Sequence, residues 1–201
     1  MLAIEVAKLG LTESIVLAVP RGGVPVGDEV AAVLGAPIDV VVARKIGAPG
    51  YPEYAIGAVS QDGDAYLDRS AIRTLGVAEE YLKEEMALKA EEIKERMKAY
   101  RGDRPYPDIR GKSVVVVDDG IATGSTVRVA IRSLRKKNPR LVVLATPVAP
   151  PEVVRELSQE ADVVVCLSTP AAFSAVGEFY RDFSQLEDSD VISILRKRSP
   201  I

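Results

Sequence analysis

A chain of 201 residues, 47% of them hydrophobic, has the length and the apolar content of one α/β domain with a modest appendage. Its 26 Lys and Arg against 29 Asp and Glu leave a net charge of −3, so no global field draws it to nucleic acid or to an anionic membrane. With no histidine and the single cysteine Cys166, the chain lacks the parts for a Ser-His-Asp or Cys-His nucleophilic site, an ordinary zinc site or an intrachain disulfide.

The start, MLAIEVAKLGLTES, has an acid where a secretory signal would carry basic residues, and no apolar run approaches the ~20 residues that span a bilayer. With one thiol, this reads as a soluble, cytoplasmic protein. SIVLAVP (14–20) is a β-branched apolar run without alternation, as in a strand buried on both faces. Arg21-Gly22-Gly23 follows, two glycines that bare backbone N–H groups and an arginine fork suited to phosphate oxygens, then a helical pattern at 24–35. A second strand, IDVVVAR (38–44), is closed by Arg44-Lys45. The segment from about 46 to 112 breaks the rhythm. GAPGYPEYAIGAV, rich in Gly, Pro and Tyr, is read as a loop, either structural or a lid over a ligand. AIGAVSQDGDAYLD is a hairpin about Asp62-Gly63, and VAEEYLKEEMALKAEEIKERMKAYRG is a long charged helix. Strands return at 113–119, 140–148 and 162–168, with helical patterns at 123–138 and 150–161 between them. Strand and helix in alternation give an open, mostly parallel sheet with helices on both faces. Cys166 falls inside DVVVC and is read as buried strand. The tail from 169 holds Phe173, Phe179 and Phe183 and forms a small C-terminal hood, about 169–186.

Chemistry concentrates in VVVVDDGIATGST (114–126). In an open parallel sheet, ligands bind beyond the carboxyl ends of strands, where Asp118 and Asp119 stand. Gly120, Ile121, Ala122, Thr123, Gly124, Ser125 and Thr126 lead into a helix whose first N–H groups attract anions. Two carboxylates repel a bare phosphate and want hydroxyls or a metal, so a sugar phosphate suits both halves of the stretch. A Walker loop is excluded because no lysine follows the glycine, and G-x-G-x-x-G is absent. An ordinary strand-turn-helix with a capping aspartate would explain one acid and one threonine.

VVVVDDGIATGST resembles the phosphoribosyl-diphosphate motif of the type I phosphoribosyltransferases: an apolar strand, two acids and a T-G-x-T loop. With PRGGVPVG, RKIGAPGYPEYAIGAV and AVGEFYRDFSQ, the resemblance extends over nearly the whole chain, to a bacterial and archaeal group within that family. It implies one phosphoribosyltransferase-like domain and transfer of phosphoribosyl from 5-phosphoribosyl 1-diphosphate to a nitrogen of a nucleobase-like acceptor, releasing pyrophosphate. By the same resemblance Asp118 and Asp119 hold the ribose, the 120–126 loop holds the 5-phosphate, and Arg21, Gly22, Gly23, Arg44 and Lys45 hold the pyrophosphate. The catalytic set is then Asp118, Asp119, Arg21 and Lys45. Mg²⁺ is the implied cofactor, carried by the substrate, with Glu178 or Asp182 the protein candidates for contact with it. Phe173, Phe179 and Tyr180 are base-stacking candidates, for each of which core packing is the competing role.

Ala122 stands where hypoxanthine-guanine members of the family carry an acid, which weakens a 6-oxopurine assignment, while VGEFYRDF is faintly similar to their tail. A second reading keeps the pocket and drops the reaction: a sensor of phosphoribosyl diphosphate that acts through protein contact. RKKNPR (135–140) at a helix end is weak support for nucleic acid. A second copy of the chain is a candidate partner.

Overall fold

The computed structural model describes residues 1–198, Glu53 by its backbone alone. The chain begins with α1 (Leu2–Ala7), β1 (Ser14–Ala18), α2 (Gly23–Leu34) and β2 (Ile38–Val40). Next come β3 (Ala43–Ala48), β4 (Tyr51–Ser60), β5 (Ala65–Leu67), α3 (Arg69–Leu75) and α4 (Glu79–Arg101). The second half runs β6 (Ser113–Val117), α5 (Ser125–Arg135), β7 (Leu141–Val148), α6 (Pro151–Leu157) and β8 (Val163–Ser168). A 3₁₀ turn (Val176–Phe179) and α7 (Asp188–Arg198) follow.

Five strands make a wholly parallel sheet in the order β2-β1-β6-β7-β8. Successive side chains on a strand point to opposite faces, which explains why these runs are apolar throughout. Val16, Ala18, Val115, Val117, Val143 and Ala145 enter one core with α1, α2, α4 and α7. Ile15, Leu17, Val114, Val116, Val142 and Leu144 enter the other with α5 and α6. All four valines of β6 are fully buried, each worth about 1.5–3 kcal/mol of transfer free energy.

The expected single strand over 38–44 is two. β2 stops at Val40, Val41 donates its N–H to Ala18 O, and Val42 donates to Gln61 Oε1 of the hairpin turn and accepts from Gln61 N–H. The chain thereby leaves the parallel sheet and enters an antiparallel one of order β3-β4-β5. Arg44 and Lys45 therefore lie within β3 of this second sheet and do not close a strand of the first. The Gly-Pro-Tyr stretch read as a loop is the β3-β4 hairpin. Gly47 and Gly57 answer to close packing, a Cβ on Gly57 standing 2.5 Å from Tyr66 O, whereas Gly50 takes φ 75 at the turn. The hairpin about Asp62-Gly63 is present as β4-β5.

The long charged helix is α4, and it is less solvated than its composition suggests. It buries Leu82, Ile93, Tyr100 and Arg101. Its last residue, Arg101, donates from Nε to both carboxylate oxygens of Asp39 at 3.0 Å and from Nη2 to Pro105 O. β8 is an edge strand and only half-buried, so the Cys166 thiol is not deep in the core; it donates to Ser168 O at 3.1 Å. Among the described residues no helix is long and apolar enough to cross a membrane.

Candidate functional site

Strand order places the site. From β1 the chain winds one way to β2, and from β6 the other way through β7 to β8, so the order reverses between β1 and β6. Beyond the carboxyl ends of two strands at such a reversal the connections diverge and leave a crevice. The register pairs Ala18 with Val117, so the loop after β1 and the loop after β6 emerge side by side into that crevice. Val19 N–H donates to Val117 O at 2.8 Å and seals the two strand ends together. The Pro20–Arg21 peptide is cis.

Contact between the two loops is close enough to dictate sequence. Gly22 has φ −59 and ψ −34, ordinary helical values, yet it must be glycine: a Cβ there would lie 1.7 Å from Asp119 Oδ2. A Cβ on Gly23 would lie 2.7 Å from Val117 O. The R-G-G turn is thus fitted against the acid pair, and Arg21, Gly22 and Asp119 line one pocket of about 590 Å³.

Asp119 N–H donates to Asp118 Oδ1 at 3.0 Å, and the two carboxyls share a crowded corner. Burial holds the Asp118 carboxyl well above the usual carboxylate range, and the neighbouring Asp119 charge pushes the same way. Burial also raises Asp119. Two acids that resist ionising at a strand end are costly for stability and mark a functional-site candidate.

After the acids, Ile121 turns its side chain into the core and donates its N–H to Val148 O at 2.9 Å, so it can offer a ligand only backbone. Ala122 and Thr123 are exposed at the crest. Gly124 caps α5 with φ 73 and supplies no side-chain cap, which leaves the first N–H groups of the helix, at Ser125 and Thr126, for an anion.

The aromatic candidates separate. Tyr180 donates its hydroxyl to Asp119 O at 2.5 Å, and burial, reinforced by the two acids, pushes its pKa up to about 12. It lines the pocket with Phe183, ring centroids 5.2 Å apart. Phe183 is not among the base-stacking candidates that the sequence suggests, although the same tail segment contains it. Phe173 and Phe179 stack on each other at 5.4 Å instead. Phe179 faces an adjoining apolar trough of about 780 Å³, which shares Pro25, Val26 and Tyr180 with the polar pocket.

Asp182 lines the pocket alongside Asp119, yet among the described residues no three His, Cys, Asp or Glu side chains are grouped to hold a metal. The donor set therefore suits a divalent cation that arrives with its own oxygen ligands. Arg21 reaches no hydrogen-bond acceptor among the described residues; Glu187 and Asp188 stand 3.9 Å from its Nη1. Arg44, on β3, has Glu92 3.7 Å from its Nε, and Lys45 is exposed on that strand. The RKKNPR cations are engaged within the fold: Arg135 with Asp162, Lys136 with Asp64, Lys137 with Asp62 and Arg140 with Thr12.

A family model described as a phosphoribosyl transferase domain matches residues 1–184. A Mycobacterium tuberculosis protein named "Putative phosphoribosyl transferase" is 41% identical over 194 residues, 96% of this chain and 44% of its own length. This chain thus spans less than half the length of that curated relative. The crystal structure of TT1426 from Thermus thermophilus superposes with a TM-score of 0.83 at 45% identity, covering 99% of this chain and 94% of that one.

Proposed function

Because the chain belongs to the phosphoribosyl transferase family, we propose that it moves the phosphoribosyl group of 5-phosphoribosyl 1-diphosphate to a nitrogen of a nucleobase-like acceptor, releasing pyrophosphate. The observation that carries the reading is the junction of the R-G-G loop with the acid pair at the sheet reversal, beside an uncapped helix N-terminus.

Each part has a task the chemistry needs. Ser125, Thr126 and the open N–H groups of α5 bind the 5-phosphate. Asp118 and Asp119 accept hydrogen bonds from the ribose hydroxyls, and their charge favours the cationic ring that forms as the C1–O bond breaks. Arg21 and the amides of Gly22 and Gly23 receive the departing diphosphate. Mg²⁺ carried on the diphosphate would offset the charge of the leaving group, and Asp119 and Asp182, which line the pocket, are the carboxylates that would hold it. The acceptor approaches along the wall formed by Tyr180 and Phe183, with the apolar trough behind it. Positioning and fixed charge are the means, so the absence of histidine is no obstacle.

A pooled assay tests this. Protein, Mg²⁺ and phosphoribosyl diphosphate are mixed with purine and pyrimidine bases, and mass spectrometry reads new nucleotides. A product lost in the Asp118→Asn, Asp119→Asn double variant supports transfer and names the acceptor. Binding of phosphoribosyl diphosphate without any product moves the reading to a sensor. Absence of binding refutes the site.

A further inference from the structure

The apolar trough of about 780 Å³ beside the polar pocket is walled by α1, α2, the ends of β7 and β8, and the hood. Ile4 of α1 is 58% exposed, Val33 of α2 52%, Leu167 of β8 37% and Phe179 of the 3₁₀ turn 40%. All of them line the trough. Single apolar side chains on a surface are ordinary, but these come from separate parts of the chain and are gathered in one concavity. Polar side chains are scarce there. Glu29 and Ser168 are exposed, and the Tyr180 hydroxyl is committed to Asp119 O at 2.5 Å.

The trough is continuous with the proposed reaction site. Pro25, Val26 and Tyr180 line both it and the pocket that contains Asp119, so a ligand spanning the two passes over the start of α2. The bond to Asp119 O fixes Tyr180 at that boundary, and Phe183 tilts against it on the pocket side, ring centroids 5.2 Å apart. Concavities of about 300–1,000 Å³ with mostly apolar linings are typical of small-molecule sites. A plain nucleobase is rimmed with ring nitrogens and exocyclic polar groups. It would leave such a lining uncovered, or lose its hydrogen bonds to water on entering it. A heterocycle with an apolar substituent suits both spaces, its ring against Tyr180 and Phe183 and its substituent over Val26 towards Val33 and Ile4.

We propose that the acceptor is a nitrogen heterocycle bearing an aryl or alkyl substituent, and that the trough receives the substituent. This rests on the transfer reading and deepens it by naming the substrate class. The lone pair of the ring nitrogen forms the bond to C1, the electron pair of the C1–O bond leaves with the diphosphate, and the N–H proton passes to water. The trough takes no part in that step; it holds the acceptor by burying apolar surface.

Matched pairs of probes test this: adenine with 6-benzylaminopurine, and benzimidazole with 5-phenylbenzimidazole. Each is titrated calorimetrically into the whole chain with Mg²⁺ and pyrophosphate present, which cannot react with it. In at least one pair the substituted member should bind about tenfold tighter than the plain one. Ile4→Ser and Val33→Ser, both at exposed positions, should each cut that ratio to about threefold or less. Equal or undetectable affinity within both pairs, or a ratio that neither variant changes, overturns the inference. So does a dimer in sedimentation that Val33→Asp splits, which gives the trough to a second copy of the chain. After any of these results the functional reading still stands if the protein binds phosphoribosyl diphosphate and forms a nucleotide in the pooled assay. A chain that binds no phosphoribosyl diphosphate refutes the functional reading, and this inference falls with it.

Discussion

Gly22→Ala isolates the contact on which the site depends. The backbone at Gly22 has φ −59 and ψ −34, so alanine meets no conformational penalty there. Its Cβ, however, would stand 1.7 Å from Asp119 Oδ2, 2.4 Å from Cγ and 3.1 Å from Cβ. The carboxylate is the far end of a side chain and can swing away, whereas its own Cβ is nearly tolerable where it is. The clash is therefore relieved by turning Asp119 out of position. Overpacking of this sort costs about 1–3 kcal/mol, offset by about 0.4–1 kcal/mol as alanine restricts the unfolded chain. The net cost of about 0–2.6 kcal/mol should lower the melting temperature by no more than about 10 °C, at about 2–4 °C per kcal/mol. Binding should suffer more. Losing a hydrogen bond to a charged group costs about 1.5–3 kcal/mol, or about 10–150-fold in affinity for phosphoribosyl diphosphate. Gly23→Ala is the contrast, because its Cβ would press on Val117 O at 2.7 Å and Asp118 Cα at 3.0 Å, backbone that cannot rotate aside. It should cost more stability than Gly22→Ala. Titration calorimetry beside thermal melting reads both. Undiminished affinity in a folded Gly22→Ala protein would refute a ligand role for Asp119.

Further outcomes follow from the same physics. Asp118 has a folded-state pKa raised by burial, so the folded protein holds that proton to higher pH than the unfolded chain does. The free protein should lose stability as pH rises from the ordinary carboxylate range through the raised value, and Asp118→Asn should melt about 2–4 °C higher at neutral pH while losing phosphoribosyl diphosphate binding. Because ribose hydroxyls donate to the ionised carboxylate, affinity should rise with pH over the same window, with proton release visible as a buffer-dependent binding enthalpy; a flat profile would exclude hydrogen bonding to Asp118. Tyr180→Phe deletes the 2.5 Å bond to Asp119 O and should weaken binding about five- to tenfold, near 1 kcal/mol, with little change in melting. Arg101→Ala strands the Asp39 carboxylate, whose side chain is 13% exposed, and should cost about 3–5 kcal/mol, a fall of about 10 °C in melting.

The parallel sheet was legible because burial on both faces leaves an unmistakable mark. Val114 to Val117 alternate between the two cores, so every position is apolar and no helical period survives. The second sheet was obscured by the same rule. IDVVVAR is apolar whether it continues in one sheet or crosses to another, and the partner that takes up Val42 is Gln61, far along the chain. Glycine at position 57 signalled a turn but answers to the approach of Tyr66. α3 escaped notice although its cap was written locally: Asp68 accepts from Ser70 and Ala71 N–H groups at 2.9 Å, and Gly76 closes the other end at φ 62. α7 also had its signals, with Asp188 and Asp190 in the first turn and Arg196, Lys197 and Arg198 in the last.

What the sequence conveyed of the site was its two loops, because each keeps its chemistry within a few consecutive residues. Arg21-Gly22-Gly23 and the stretch from Asp118 to Thr126 need only a strand before and a helix after to be placed, and that much is local. The cations were harder for a physical reason. Arg96 comes from the long charged helix and meets Arg21 only where α7 delivers Asp188, while Arg44, on β3, stands 3.7 Å from Glu92 of that helix. The aromatics show the same limit: Phe173, Phe179, Tyr180 and Phe183 lie within one short segment, and which of them faces the pocket is decided by the 3₁₀ turn at Val176–Phe179 and the bond from Tyr180 to Asp119 O. That bond draws Tyr180, and Phe183 tilted against it, onto the pocket wall, while Phe173 and Phe179 cover each other. On the proposed function the acceptor side is built by tertiary packing of the hood, whereas the phosphoribosyl side is built by two strand-loop-helix junctions. An acceptor preference can change through the hood while the junctions stay as they are, so Phe183→Ala should alter the choice of acceptor in the pooled assay and leave the affinity for phosphoribosyl diphosphate unchanged.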